Sequence, residues 1–206
     1  MTRRQLTIVP IVHSEADLGD LATVLRDRLG NDAWAARQRV IDQLWHRIVA
    51  FCDTLDPEGL RLYQDALPAS EAAEQIVREL AEDGSANHQL LVNLIARGGV
   101  LVGTEDPSLL LREYAHAQRI AATNSAHATL ASQAEAMELL ARRDEAIAKR
   151  IDQTLPPGGR GLLLVGLLHN VRPKLPRDIS VTIGINIGDE LRSEEHTSEL
   201  QSPVPI

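Results

Sequence analysis

RRDEAIAKRIDQTLPPGGRGLLLVGLLHN, residues 142–170, decides how the rest of the chain reads. Leu140, Asp144, Ile147 and Ile151 share one helical face, so a carboxylate stands inside an apolar stripe. Pro156-Pro157-Gly158-Gly159 then turns the chain, and LLLV begins a buried strand that ends at His169. An unpaired buried charge is costly, so Asp144 needs a partner, and the histidine at the strand tip is the candidate.

Outward from this segment the same alternation recurs. Leu6–His13 (LTIVPIVH), Leu60–Leu67 (LRLYQDAL), Gly99–Asp106 (GVLVGTED) and Ile179–Asn186 (ISVTIGIN) read as strands. Helical spacing fills the intervals. Asp17 is read as the cap of a helix that stops at Gly30, and Val40, Ile41, Leu44, Ile48 and Phe51 mark another over Asp32–Asp53. Ser70 and Ser85 begin two more, Asp106 caps a helix with Pro107 in its first turn, and Ser125–Thr154 is a long Ala-rich one. Five apolar strands separated by helices predict the α/β class: a mostly parallel sheet of about five strands flanked by helices.

Composition narrows the function classes. Hydrophobic residues make up 44% and charged ones 24%, the balance of a globular domain, while 2% aromatics leave the core to Leu, Val, Ile and Ala. A net charge of -8 argues against a nucleic-acid surface, which needs a basic stripe. The single cysteine, Cys52, excludes an internal disulfide and a cysteine metal cage, and its helical setting marks it as a small core residue. No run of 18 apolar residues implies a membrane span, and the short apolar part of MTRRQLTIVPIVHSE, broken by Pro10 and His13, is not a signal peptide. The expected location is the cytoplasm.

Arg192–Ser202 (RSEEHTSELQS) resembles the translation of a sequencing-library adapter over eleven consecutive residues. Residues 1–191 are therefore read as one α/β domain truncated at its C-terminus, and 192–206 as a non-native, disordered tail. Removing Arg192, Glu194, Glu195 and Glu199 leaves the domain at about -6.

In parallel sheets a ligand crevice lies at the carboxyl ends of the strands. Four strands here end in His13, Asp65, Glu105 with Asp106, and His169. Imidazole with carboxylate suits a divalent metal such as Zn or Mn, with His13, Asp65, Glu105 and His169 as its ligands. The same groups suit a metal-free site in which an acid-supported histidine activates water. Each residue also has a structural alternative: Asp65 turns the chain, Arg143 lies on a solvated helix face, and Glu15 and Asp17 serve as caps. Gly158-Gly159-Arg160-Gly161 precedes a strand, so it is no phosphate cradle. His46, His88, His116 and His127 sit in helical segments without metal-ligand spacing and read as surface or packing residues.

Arg143-Asp144-x-x-Ile147-Ala148-x-x-Ile151, a turn, a buried strand and Gly166-x-x-His169 resemble the TraB/TIKI, erythromycin-esterase-like and ChaN-like superfamily. There an Arg-Asp or Arg-Asn helix precedes a strand ending in Gly-x-x-His. An early strand ending in histidine, similar to His13, and acidic strand ends, similar to Glu105, complete the pattern. Ile147 stands where Met or Trp is usual, Val-Pro-Ile precedes His13, and Thr104-Glu105-Asp106 is not the paired-Glu motif of the protease branch. The likeness is specific over about Arg142–Val171 and implies a divergent branch. It implies a hydrolase of ester or peptide bonds or, in the rival class, a protein that binds a metal, haem or small ligand without catalysis.

The expected site therefore uses His13 and His169 to activate water, Glu105 and Asp65 as metal ligands or general base, and Arg143 to stabilise developing negative charge. Asp144 is expected to orient His169 or to pair with Arg143. The expected partner is a small-molecule or peptide substrate, with neither nucleic acid nor membrane.

Overall fold

A computed structural model describes residues 3–18, 20–122 and 130–186. Its centre is a five-stranded, all-parallel sheet flanked by helices, which is the α/β architecture expected from the sequence. The strands are β1 (Arg4–Ile11), β2 (Arg61–Pro68), β3 (Val100–Glu105), β4 (Arg160–Gly166) and β5 (Ile179–Ile183), in the order β3-β2-β4-β1-β5. The helices are α1 (Glu15–Leu18), α2 (Asp20–Leu29), α3 (Asn31–Asp53), α4 (Ala73–Glu82), α5 (Ala86–Ala96), α6 (Pro107–Ala122) and α7 (Leu130–Thr154).

Alternation along the central strands divides the core in two. Val9, Ile11, Leu62 and Leu164 meet Ile41, Ile48, Val77, Leu91 and Leu94 of α3, α4 and α5 on one face. Leu6, Ile8, Tyr63, Leu163 and Val165 meet Ile147 and Ile151 of α7, and Leu155 just past it, on the other. Parallel crossovers are right-handed, so the steps from β1 to β2 and from β2 to β3 carry their helices on one face. The return from β3 to β4 then needs α7 on the opposite face. It also inserts β4 between β2 and β1, which brings three carboxyl ends together at the middle of the sheet.

Several boundaries differ from the sequence reading. β4 stops at Gly166, and His169 lies in the turn beyond it, its N–H on the Gly166 carbonyl at 3.0 Å. Leu167 and Leu168 in that turn are exposed, so the apolar run outlasts the strand. β5 ends at Ile183, before the expected Asn186. Asp17 lies inside α1 instead of capping a helix after it; its carboxylate reaches back to the Ser14 N–H at 2.7 Å, the acidic half of a capping box. Asp106 does cap α6, accepting from the Ser108 N–H at 2.8 Å. Cys52 is fully buried among apolar side chains, and that burial pushes its thiol up to about 12. The start of the Ala-rich helix at Ser125, His127 and the adapter-like tail lie outside the described residues. Among the described residues no helix is long and apolar enough to cross a membrane.

Candidate active site

The site is built from the carboxyl ends of β1, β4 and β2. His13 lies two residues past β1, Asp65 lies in the second half of β2, and β4 between them contributes Gly166 and, in the turn after it, His169. Asp65 is 1% exposed. Its Oδ2 accepts the Gly166 N–H at 2.7 Å and lies 3.8 Å from His13 Nε2 and 3.5 Å from His169 Nε2. Two imidazoles thus face one buried carboxylate oxygen. Oδ1 of the same group is buried without a hydrogen-bond partner.

Burial disfavours the ionised form of Asp65, but His13, with further help from His169 and Arg143, outweighs it and holds the carboxyl well below its usual range. Burial likewise opposes a charge on His13, yet the Asp65 carboxylate, with Asp17 adding to it, raises that ring above its ordinary value of 6.5. His169 is held differently. Its Nδ1 is 2.6 Å from Asp144 Oδ1, while Asp144 Oδ2 accepts the Asn170 N–H at 2.9 Å. This contact leaves His169 Nε2 turned toward Asp65. The acid in the apolar stripe has found the partner that its burial demanded.

Gly166 is needed for this closeness. A Cβ there would lie 3.0 Å from Asp65 Oδ2, 3.6 Å from His169 Cδ2 and 3.7 Å from His13 Nε2. Any side chain at this position enters the space that the two rings and the carboxylate share.

Arg143 and Glu105 are brought together in an ion pair of their own. Arg143 Nε and Nη2 form a fork on Glu105 at 2.6 and 2.5 Å, and Nη1 bonds Glu113 of α6. Burial disfavours the guanidinium charge, yet Glu105, then Glu113, outweigh it and raise its pKa. All three Arg143 nitrogens lie on carboxylates, and the residue is 2% exposed. Its work is on the backbone. Glu105 Oε1 also takes the Ala66 N–H at 2.7 Å, and Ala66 has φ of 58°. The pairing of β2 with β3 slips between Gln64 and Pro68, so this left-handed residue sits in an irregularity beside Asp65.

On the other face a second polar group surrounds Asp17. Its Oδ2 accepts the Ser14 N–H and hydroxyl, each at 2.7 Å, and its Oδ1 accepts the Ser85 hydroxyl. Ser85 Oγ is 2.6 Å from His88 Nδ1, and His88 Nε2 is 3.4 Å from the Gln64 amide nitrogen. Burial works against Asp17 ionisation, but His88, Ser85, Ser14 and the charge of His13 pull it down to about 2.

Of the residues expected from sequence, His13, Asp65, Asp144, Gly166 and His169 meet, whereas Glu105 and Arg143 form a separate clamp. Glu105, expected as one of four metal ligands, accepts from Arg143 and from the Ala66 N–H. Among the described residues no group of three or more His, Cys, Asp or Glu side chains fits a metal ion. Glu113, Ser85 and His88 were not anticipated. For Ser85 and His88 there was a sequence signal: a serine beginning a helix with histidine three residues on can meet it at the cap. Glu113 gave none, since its partner lies on another helix. A cavity of about 580 Å³ along β3, lined by Arg61, Glu71, Glu74, Arg150 and Thr154, contains none of these groups. No family model, curated protein or solved structure matches this chain.

Proposed function

We propose that the chain is a hydrolase that activates water between His13 and His169, on an ester or peptide bond. The observation that carries this reading is the convergence of two imidazole Nε2 atoms on the buried Asp65, one of them oriented through Nδ1 by its own carboxylate, Asp144. In this mechanism a water on His169 Nε2 gives that nitrogen its proton as the oxygen attacks the carbonyl carbon. Asp144 stabilises the imidazolium so formed. His13, whose protonated form Asp65 favours, faces the carbonyl oxygen and stabilises its developing charge. It then supplies a proton to the leaving group. Arg143 acts at a distance, with Glu105, by fixing the backbone that aims Asp65. The likeness of Arg143-Asp144 and Gly166-x-x-His169 to the TraB/TIKI, erythromycin-esterase-like and ChaN-like superfamily supports the same reaction class.

The partnerless Asp65 Oδ1 favours one second reading, a site that binds a small polar ligand without turning it over. A panel of ester and peptide substrates, run with His13→Ala and His169→Ala, separates the two. Hydrolysis should fall by about 10²–10⁴-fold in each variant, with thermal unfolding nearly unchanged. Ligand binding without turnover in the unaltered protein selects the second reading. Loss of folding in both variants assigns the two rings a structural role.

A further inference from the structure

The group around Asp17 is buried more completely than the ring of His13, and its members form one connected hydrogen-bonded chain. Ser85 is 0% exposed, Gln64 2% and the His88 side chain 8%, against 18% for the ring of His13. Asp17 is ionised, so the Ser85 hydroxyl donates to its Oδ1. Ser85 Oγ therefore has only lone pairs left for His88, and Nδ1–H must donate to it across 2.6 Å. On the other side of the ring, His88 Nε2 lies 3.4 Å from the Gln64 amide nitrogen. The chain of contacts runs from Gln64 on β2, through His88 and Ser85 on α5, to Asp17 on α1. It ends two bonds short of the catalytic loop, since Asp17 also holds the Ser14 N–H and hydroxyl, and Ser14 follows His13. The indole N–H of Trp45 anchors the carbonyl of Val12 on the other side of His13 at 3.1 Å.

We infer that Ser85 and His88 are positioning residues for His13, acting through Asp17 and Ser14. They do not contact substrate; they fix the direction from which the His13 ring meets Asp65. The inference rests on the reading of His13 as a working member of the site, and it adds two residues from a helix on the far face of the sheet. Gln64, the residue directly before Asp65, closes the link at His88 Nε2. The same strand thus aims the carboxylate and steadies the histidine network that aims its partner ring.

The test uses the full chain labelled with ¹⁵N-histidine at one fixed pH, with the His13 ring signals assigned from their disappearance in His13→Gln. Ser85→Ala should shift the His13 ring signals, and Ser85→Thr, which keeps the hydroxyl, should restore them. His88→Asn keeps an N–H donor at the Nδ1 position and should leave the His13 signals near their original place. His88→Gln, which supplies a nitrogen only at the Nε2 position, should move them as Ser85→Ala does. In turnover of any ester found to be a substrate, Ser85→Ala and His88→Gln should lower kcat on the order of a hundredfold, with KM changed by less than about twofold. His13 signals unchanged in Ser85→Ala, or His88→Asn behaving as His88→Gln does, overturns the inference. Absence of any hydrolysis by the unaltered protein defeats the hydrolase reading instead, and the ring signals still decide the positioning role.

Discussion

On the α7 face the site is fastened by an ion triad, Arg143 between Glu105 and Glu113, beside the hydrogen bond of Asp144 with His169. On the α5 face it is fastened by neutral groups handing hydrogen bonds to one carboxylate, from Gln64 through His88 and Ser85 to Asp17. Both arrangements are buried, but they stabilise through different physics. A buried ion triad stands on mutual compensation of large charges, so removing one member leaves the others uncompensated. A hydrogen-bonded chain loses its links a kcal/mol or so at a time. The ionic side is thus suited to holding a strained backbone, at Ala66, and the neutral side to setting a direction.

That contrast is broken first at Arg143. Arg143→Leu leaves the buried Glu105 and the half-buried Glu113 without their counter-charge and should cost about 3–5 kcal/mol in a denaturant titration. A loss no larger than that of a surface arginine would mean that the triad is not a clamp. Gly166→Ala should cost about 1–3 kcal/mol, because its Cβ meets Asp65 Oδ2 at 3.0 Å, and should remove hydrolysis with it. Retained activity there would show that the rings and Asp65 do not need their close approach.

Acid sharpens the comparison on the α5 side. Asp17 has a folded value of about 2 against its ordinary 3.8, so its contribution is fully present above 3.8 and fades as pH falls toward 2. It amounts to about 2 kcal/mol, and unfolding curves of Asp17→Asn should converge on those of the parent below that window. His13 runs in the opposite sense. Its folded value is raised above 6.5, so its contribution is complete below 6.5 and is lost as pH rises through the folded value. The stability difference between parent and His13→Gln should shrink as the solution becomes alkaline. The smallest change is expected for Ser85→Ala, about 1–2 kcal/mol for a cap and its buried hydrogen bonds, measured by urea denaturation. A cost comparable to that of Arg143→Leu would erase the distinction between the two faces.

Sequence alone determined the class of fold and a good part of the site. Period-two and helical spacing reported burial directly, since both express which side of an element meets the core. Asp144 was legible as a partnered acid because a charge inside an apolar stripe is too costly to leave alone, and His169 was the nearest acceptable partner. Polar residues at strand ends likewise marked His13 and Asp65. Tertiary structure decided how those residues pair. Glu105 and Arg143 carried no local sign that they would neutralise one another, and their meeting depends on α7 returning across the sheet to β4. The Ala66 irregularity that turns Asp65 toward the two rings is equally invisible in YQDALP, because a left-handed alanine is tolerated only where neighbours hold it. His88 looked like a helix-packing histidine until the loop after β1 was laid against the start of α5. Local patterns fix what each residue needs; the crossing of the chain over both faces of the sheet fixes which residue supplies it.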